Sequence, residues 1–178
     1  NSVGEGLSTW ISSSSREGAS GVLGTAERYT RTSNTWAPAA SLATARERAT
    51  LSLLPSGQVL AAGGGNGGGP LASAERYDPV ADAWTPAGSM TAAREGHTAT
   101  VLGSGRVLVV GGHHELTGIL ASAESFNPVS GTWGTEDRLV ISRYQHSATS
   151  LASGAVLVVG GFSNGDQSSA ELFFSSAP

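Results

Sequence analysis

Short apolar runs punctuate the chain at a regular interval: Val-Leu-Ala-Ala at 59–62, Val-Leu-Val-Val at 107–110 and Val-Leu-Val-Val at 156–159. Each is the length of a buried strand, and each ends in a glycine pair, Gly63–Gly64, Gly111–Gly112 or Gly160–Gly161. A Thr- and Ala-rich stretch precedes each run, separated from it by a turn that carries Gly57, Gly105 or Gly154. Glycine there tolerates the positive φ of a tight hairpin. The second of these units predicts strand A over Thr98–Leu102, strand B over Arg106–Val110 and strand C over Ala123–Phe126. Asn127–Pro128 then turns the chain, as Asp78–Pro79 does one repeat earlier, and strand D opens at Thr132–Trp133. Residues 42–54 taken alone have the composition of a helix. Their counterpart at 93–105 does not, so strands are predicted throughout.

Four columns of residues recur with these runs. One is Ala-Glu followed by an aromatic: Ala26/Glu27/Tyr29, Ala74/Glu75/Tyr77, Ala123/Glu124/Phe126 and Ala170/Glu171/Phe173. The others are Trp36, Trp84 and Trp133; Arg46, Arg94 and Arg143; and the glycine pairs. Equivalent positions are 47 to 49 residues apart, a period typical of propeller-type repeats. Within a repeat the aromatic-to-Trp step is 7 residues, Trp to Arg is 10 and Arg to the second glycine is 18, without exception. Only the stretch from the glycine pair to the next Ala varies, at 10, 11 and 9 residues. Each repeat is therefore expected to be a four-stranded antiparallel meander whose length variation sits in the B–C loop. In such a meander the B–C loop and the D–A connection emerge at one end, so the variable loops and the Arg column share a face. Variable loops on a rigid scaffold are where function is commonly grafted.

The glycine pair after an apolar strand, the Ala-Glu-Arg-Tyr-Asp-Pro…Trp segment and the Met90, Arg94, His97 spacing together resemble the kelch repeat, the blade unit of a β-propeller. The resemblance covers about residues 22–174 and is most similar to bacterial kelch proteins and to the propeller of galactose oxidase. It implies an all-β fold of kelch-type blades, here approximately 22–44, 45–92, 93–141 and 142–178. Residues 1–21 are either degenerate first-blade strands or an N-terminal extension, because Ser15-Arg16 stands where a glycine pair is expected. Ala49 replaces the histidine found at 97 and 146. The first blade offers C and D and the last offers A, B and C, so the ring is expected to be incomplete unless a second chain or a missing segment completes it.

Net charge is −4, which disfavours a nucleic-acid partner. The apolar runs are too short to span a bilayer, so no membrane insertion is expected. There is no cysteine, so thiolate chemistry and disulfides are absent from this chain. The tyrosine–cysteine copper cofactor that galactose-oxidase resemblance would imply therefore has no counterpart, and no cofactor is expected. Gly161–Gly165 matches a nucleophile elbow and Gly63–Gly68 a dinucleotide loop, but neither precedes a helix as that chemistry requires.

The aromatic and Trp columns are expected to pack between blades. For Arg46, Arg94 and Arg143 two readings stand: ion pairs with the Glu column, or a ring at the channel mouth that grips ligand carboxylates, as in some kelch binding modules. Positions that differ between repeats are the other candidate ligand-binding residues: Arg48 and Tyr144 beside the Arg column, and His113, His114, Glu115, Phe162, Asn164, Asp166 and Gln167 in the B–C loops. His113–His114–Glu115 offers poor metal geometry, since adjacent side chains on an extended loop diverge. The favoured reading is a non-catalytic binding module for a protein segment or glycan, in an extracellular or cell-surface setting. Two alternatives are a carbohydrate-active enzyme or its accessory domain, and a structural piece of a surface or filament assembly. The enzyme would need two neighbouring carboxylates on the loop face; Glu95, Glu115 and Asp166 are the candidates, expected to be dispersed over different blades.

Overall fold

The computed structural model describes residues 9–10 and 21–174, so most of segment 1–21 lies outside the described residues. The described chain is all β. The first sheet contains β1 (Thr9–Trp10), β2 (Ala26–Thr30) and β3 (Thr35–Ala39), in that order. The second contains β4 (Thr50–Leu53), β5 (Val59–Ala62), β8 (Ser73–Asp78) and β9 (Ala83–Ser89), with the small hairpin of β6 (Gly65–Asn66) and β7 (Gly69–Pro70) inserted between β5 and β8. The third repeats this with β10 (Thr98–Val101), β11 (Val107–Val110), β14 (Ala123–Asn127) and β15 (Thr132–Glu136), around the hairpin of β12 (His113–His114) and β13 (Gly118–Ile119). The fourth sheet is β16 (Ser147–Ser150), β17 (Val156–Val159) and β18 (Ala170–Phe173). All pairings are antiparallel and follow chain order, so the second and third sheets are the four-stranded meander that the repeat predicts, and the first and fourth are three-stranded among the described residues.

The uninterrupted Val-Leu-Val-Val of β11 follows from its position. All four residues are at most 1 % exposed, because a sheet packs on either side. Val107 joins Leu54, Leu60, Ala62, Ala74, Ala87 and Phe126 in one core between the second and third sheets. Leu108 and Val110 join Val156, Val158 and Phe173 in another between the third and fourth. Alternate side chains thus serve opposite interfaces, and a strand buried on both faces loses the apolar–polar alternation. The strand nearest the next sheet is the first of each meander: β4 adjoins β10, and β10 adjoins β16.

The aromatic column packs as expected where a neighbour is present. Tyr77, Phe126 and Phe173 are buried. Across each C–D hairpin the aromatic meets its tryptophan, with ring centroids 5.1 Å apart for Tyr77–Trp84 and 5.3 Å for Phe126–Trp133. The indole N–H of Trp84 donates to the carbonyl of Ala40 at 2.8 Å, and that of Trp133 to Ala87 at 2.9 Å, fastening each sheet to the one before. Trp36 differs: it touches Tyr29 but is 47 % exposed.

Candidate functional site

The arginine column is spent inside the blades. Arg94 Nη1 donates to the carbonyls of Gly111 and Ser122 at 2.8 and 3.0 Å, and Nη2 donates to Glu124 Oε1 at 2.8 Å. Glu124 also accepts the backbone N–H groups of Thr91 and Ala92. Arg46 repeats the arrangement with Gly63, Ser73 and Glu75, and Arg143 with Gly160, Ser169 and Glu171. Each clasp ties the D–A connection to the glycine pair and to strand C. All three arginine residues are 0 % exposed. The expectation of an arginine-lined mouth is therefore corrected: Arg46, Arg94 and Arg143 are enclosed, with their Nη groups bound to internal carbonyls and to the glutamate column. Burial pushes the Arg94 guanidinium below its ordinary value, and the adjacent Glu124 carboxylate opposes that shift.

The neighbouring positions do face outward. The residue after each arginine exchanges two backbone hydrogen bonds with the residue after the glycine pair: Glu47 with Gly65, Glu95 with His113, and Tyr144 with Phe162. The D–A connection and the B–C loop of a blade consequently emerge at one end, as the meander requires. Adjacent blades are linked at the same level. Gln145 N–H donates to the Gly96 carbonyl at 2.8 Å, and Gly112 N–H to that of Arg143 at 2.9 Å.

A cavity of about 400 Å³ opens here between the B–C loops of the second and third sheets. The Asn66–Pro70 hairpin forms one wall, and Glu95, His113 and Glu115 form the other. The carboxylates of Glu95 and Glu115 thus meet one cavity, which corrects the expectation that the acidic candidates are dispersed; Asp166 does not line it. A Cβ on Gly65 would fall 2.7 Å from Glu95 Oε2, and one on Gly69 would fall 2.7 Å from Glu115 Oε2. A larger residue at either place would oblige the carboxylate to move. Arg48, whose side chain is 60 % exposed, donates from Nη1 to Glu95 Oε1 at 3.1 Å. From the cavity wall a series of rings leads to the fourth sheet: His113 to Tyr144 at 5.9 Å, then Tyr144 to Phe162 at 5.6 Å with the planes at 73°.

Not every candidate joins this group. His114 turns back on its own hairpin, where Nδ1 accepts the N–H groups of Leu116 and Thr117. Gln167 bonds the Gly161 and Gly165 carbonyls. Asn164 and Asp166 are exposed on the last loop, away from the cavity. Among the described residues no group of three or more His, Asp or Glu is arranged to hold a metal ion. Sequence reasoning missed the glycine hairpin as a cavity wall; its only signal was the glycine run at 63–69, which also fits a plain turn.

A family model for the kelch motif matches residues 55–91 and 93–133, which hold most of the second and third sheets. These are kelch repeats. No curated protein matches the chain. The two matched kelch motifs are the ones whose loops enclose the cavity, and the kelch arginine, glutamate and glycine-pair positions are the ones used up in the internal clasp. No helix among the described residues is long and apolar enough to cross a membrane.

Proposed function

We propose that the chain is a non-catalytic kelch binding module that recognises an extended protein segment through the end of the blades where the D–A connections and B–C loops emerge. Kelch repeats imply a β-propeller protein-interaction module, and kelch-repeat domains are generally non-catalytic. The observation that carries the choice of face is the cavity bordered by Glu95, His113 and Glu115, continued by the rings of Tyr144 and Phe162. His113, Glu115, Tyr144 and Phe162 occupy positions at which the repeats differ, and Glu95 is matched only by Glu47, whereas positions common to all the repeats serve packing. The mechanism is rigid display: the hydrogen-bonded blade end presents its side chains with little ordering left to do on binding.

Peptides selected from a displayed random library provide the test. Their affinity falls in Tyr144→Ala and is unchanged in Ser104→Trp, which alters the A–B turn at the other end of the blade. The reverse pattern removes this face from consideration.

A second reading, a carbohydrate-active site, draws on the same two carboxylates, Glu95 and Glu115, at one cavity. Turnover of an oligosaccharide that disappears in both Glu95→Gln and Glu115→Gln would establish it in place of the binding module.

A further inference from the structure

The internal use of the arginine column inverts the charge expected at the loop end. With Arg46, Arg94 and Arg143 enclosed, no cationic side chain among the described residues lines the cavity; its charged groups are the Glu95 and Glu115 carboxylates, and Arg48 pairs with Glu95 from outside the lining. We infer that the cavity receives a basic side chain, arginine in preference to lysine, from the bound protein segment. The inference rests on the binding-module reading above and names the chemistry that this module selects.

Three features support it besides charge. First, the space in front of each carboxylate is held open by glycine, since a Cβ at 65 or 69 would occupy it. The opposite wall is largely glycine backbone, whose carbonyls accept further N–H donors from a planar guanidinium. Second, the local geometry already accommodates this group. Arg48 sets its guanidinium on Glu95 Oε1 while remaining mostly in solvent, whereas Glu115 has no ion-pair partner among the described residues. A ligand arginine therefore anchors on Glu115 and shares Glu95 with Arg48. Third, the rings of His113, Tyr144 and Phe162 continue from the cavity edge across to the next sheet. They offer a stacking surface to the residues flanking the arginine, and Phe162 is 39 % exposed for that contact. A cavity of about 400 Å³ suits one long side chain and not a folded element.

Selection of a displayed random-peptide library on the wild-type protein, followed by affinity measurement of the enriched peptides, tests the inference. Enriched peptides are expected to share one basic residue. Replacing that residue by citrulline, which keeps the shape and removes the charge, weakens binding about tenfold or more. Glu115→Gln, a change on an exposed loop that leaves the fold intact, abolishes the arginine–citrulline difference, and Gly69→Ala weakens the arginine peptides by filling the cavity. Added salt reduces the affinity of the arginine peptides and spares the citrulline ones. Enriched peptides without a basic residue, or an arginine–citrulline difference that persists in Glu115→Gln, overturn the cationic specificity while leaving the binding module standing. A library from which no peptide is enriched overturns both, as does neutral-oligosaccharide binding that is lost in Glu115→Gln when no peptide binds.

Discussion

Glu75, Glu124 and Glu171 perform the same task with different degrees of shielding. Their side chains are 7 %, 2 % and 16 % exposed, and each faces a fully enclosed arginine. Removing one partner of a buried pair strands the other charge, at a cost of about 3–5 kcal/mol, far more than the pair's net contribution. Glu124→Ala is expected to approach that figure and Glu171→Ala to fall below it, because water can reach Arg143 through the more open partner. Urea denaturation at neutral pH reads the order directly, and an equal loss at both positions would refute the shielding argument. The histidines set the pH response. His97 Nε2 lies 2.9 Å from Thr50 Oγ1 and His146 Nε2 lies 2.9 Å from Thr98 Oγ1, each pinning a sheet to its predecessor. Burial, with Arg94 nearby, pushes His97 down to about 3; burial, with Arg143 nearby, pushes His146 down to about 4. The unfolded chain takes up these protons near pH 6.5 and the folded chain does not, so the histidine contribution is intact above that pH and is lost as pH falls toward 4. The loss is about 2 kcal/mol per histidine by pH 5. Burial raises the Glu171 carboxyl, but the Val140 N–H, Arg143 and the Ile141 N–H outweigh it and hold the group below its ordinary range. Its contribution is lost at lower pH, as pH falls below the usual carboxylate range. His97→Gln is expected to be less stable than wild type at pH 7.5 and to show a shallower fall between pH 7 and 5; an unchanged slope would remove His97 from the account.

Among the local elements, the glycine pair has the tightest requirements. Gly57 and Gly64 have nearly the same backbone conformation, φ +84° and +86°. A Cβ at Gly57 meets open space, whereas one at Gly64 would lie 2.5 Å from the Glu47 carbonyl and 2.8 Å from the Ala49 Cβ. Gly57→Ala therefore carries only the left-handed penalty of about 1 kcal/mol, and Gly64→Ala adds displacement of the D–A connection. Comparative melts of the two variants should separate them clearly, and equal losses would mean that the close approach is relieved without cost. The strands themselves were legible because spacing fixes them: the constant 18-residue step from Arg94 to Gly112 leaves β10 and β11 nowhere else to lie. The predicted ends of both strands are within a residue of those observed. The direction of the arginine side chains was not legible. Spacing assigns a residue to one end of a blade but not to its interior or its rim, and a repeated Arg–Glu pair fits both. The cavity was hidden for a related reason. Its two walls come from loops of different repeats, and a two-residue strand such as Gly65–Asn66 has too few side chains to show a period.

At the scale of the whole molecule, burial is graded along the row of sheets. Equivalent positions make the comparison direct: Val110, in the third sheet, is 1 % exposed, whereas Val159, in the fourth, is 42 % exposed. Beside Val159, Leu172 is 52 % exposed on the same open side, and Trp36 is 47 % exposed at the other end of the row. A repeat array of this kind draws its stability from each unit and from each interface between neighbours. Among the described residues the second and third sheets have an interface on both sides; the fourth has one, on the side of Val156, Val158 and Phe173. Opening the fourth sheet sacrifices a single core, while opening the third sacrifices two. Native-state hydrogen exchange is therefore expected to show the β5 and β11 amides opening at the highest free energy and those of β17 and β3 at a lower one. Val158→Ala, which weakens only the interface between the third and fourth sheets, should speed exchange in β17 and leave β5 nearly unchanged. If instead all four strands exchange at one common free energy, and Val158→Ala shifts them equally, the sheets form a single cooperative unit and the nearest-neighbour account of the row is wrong.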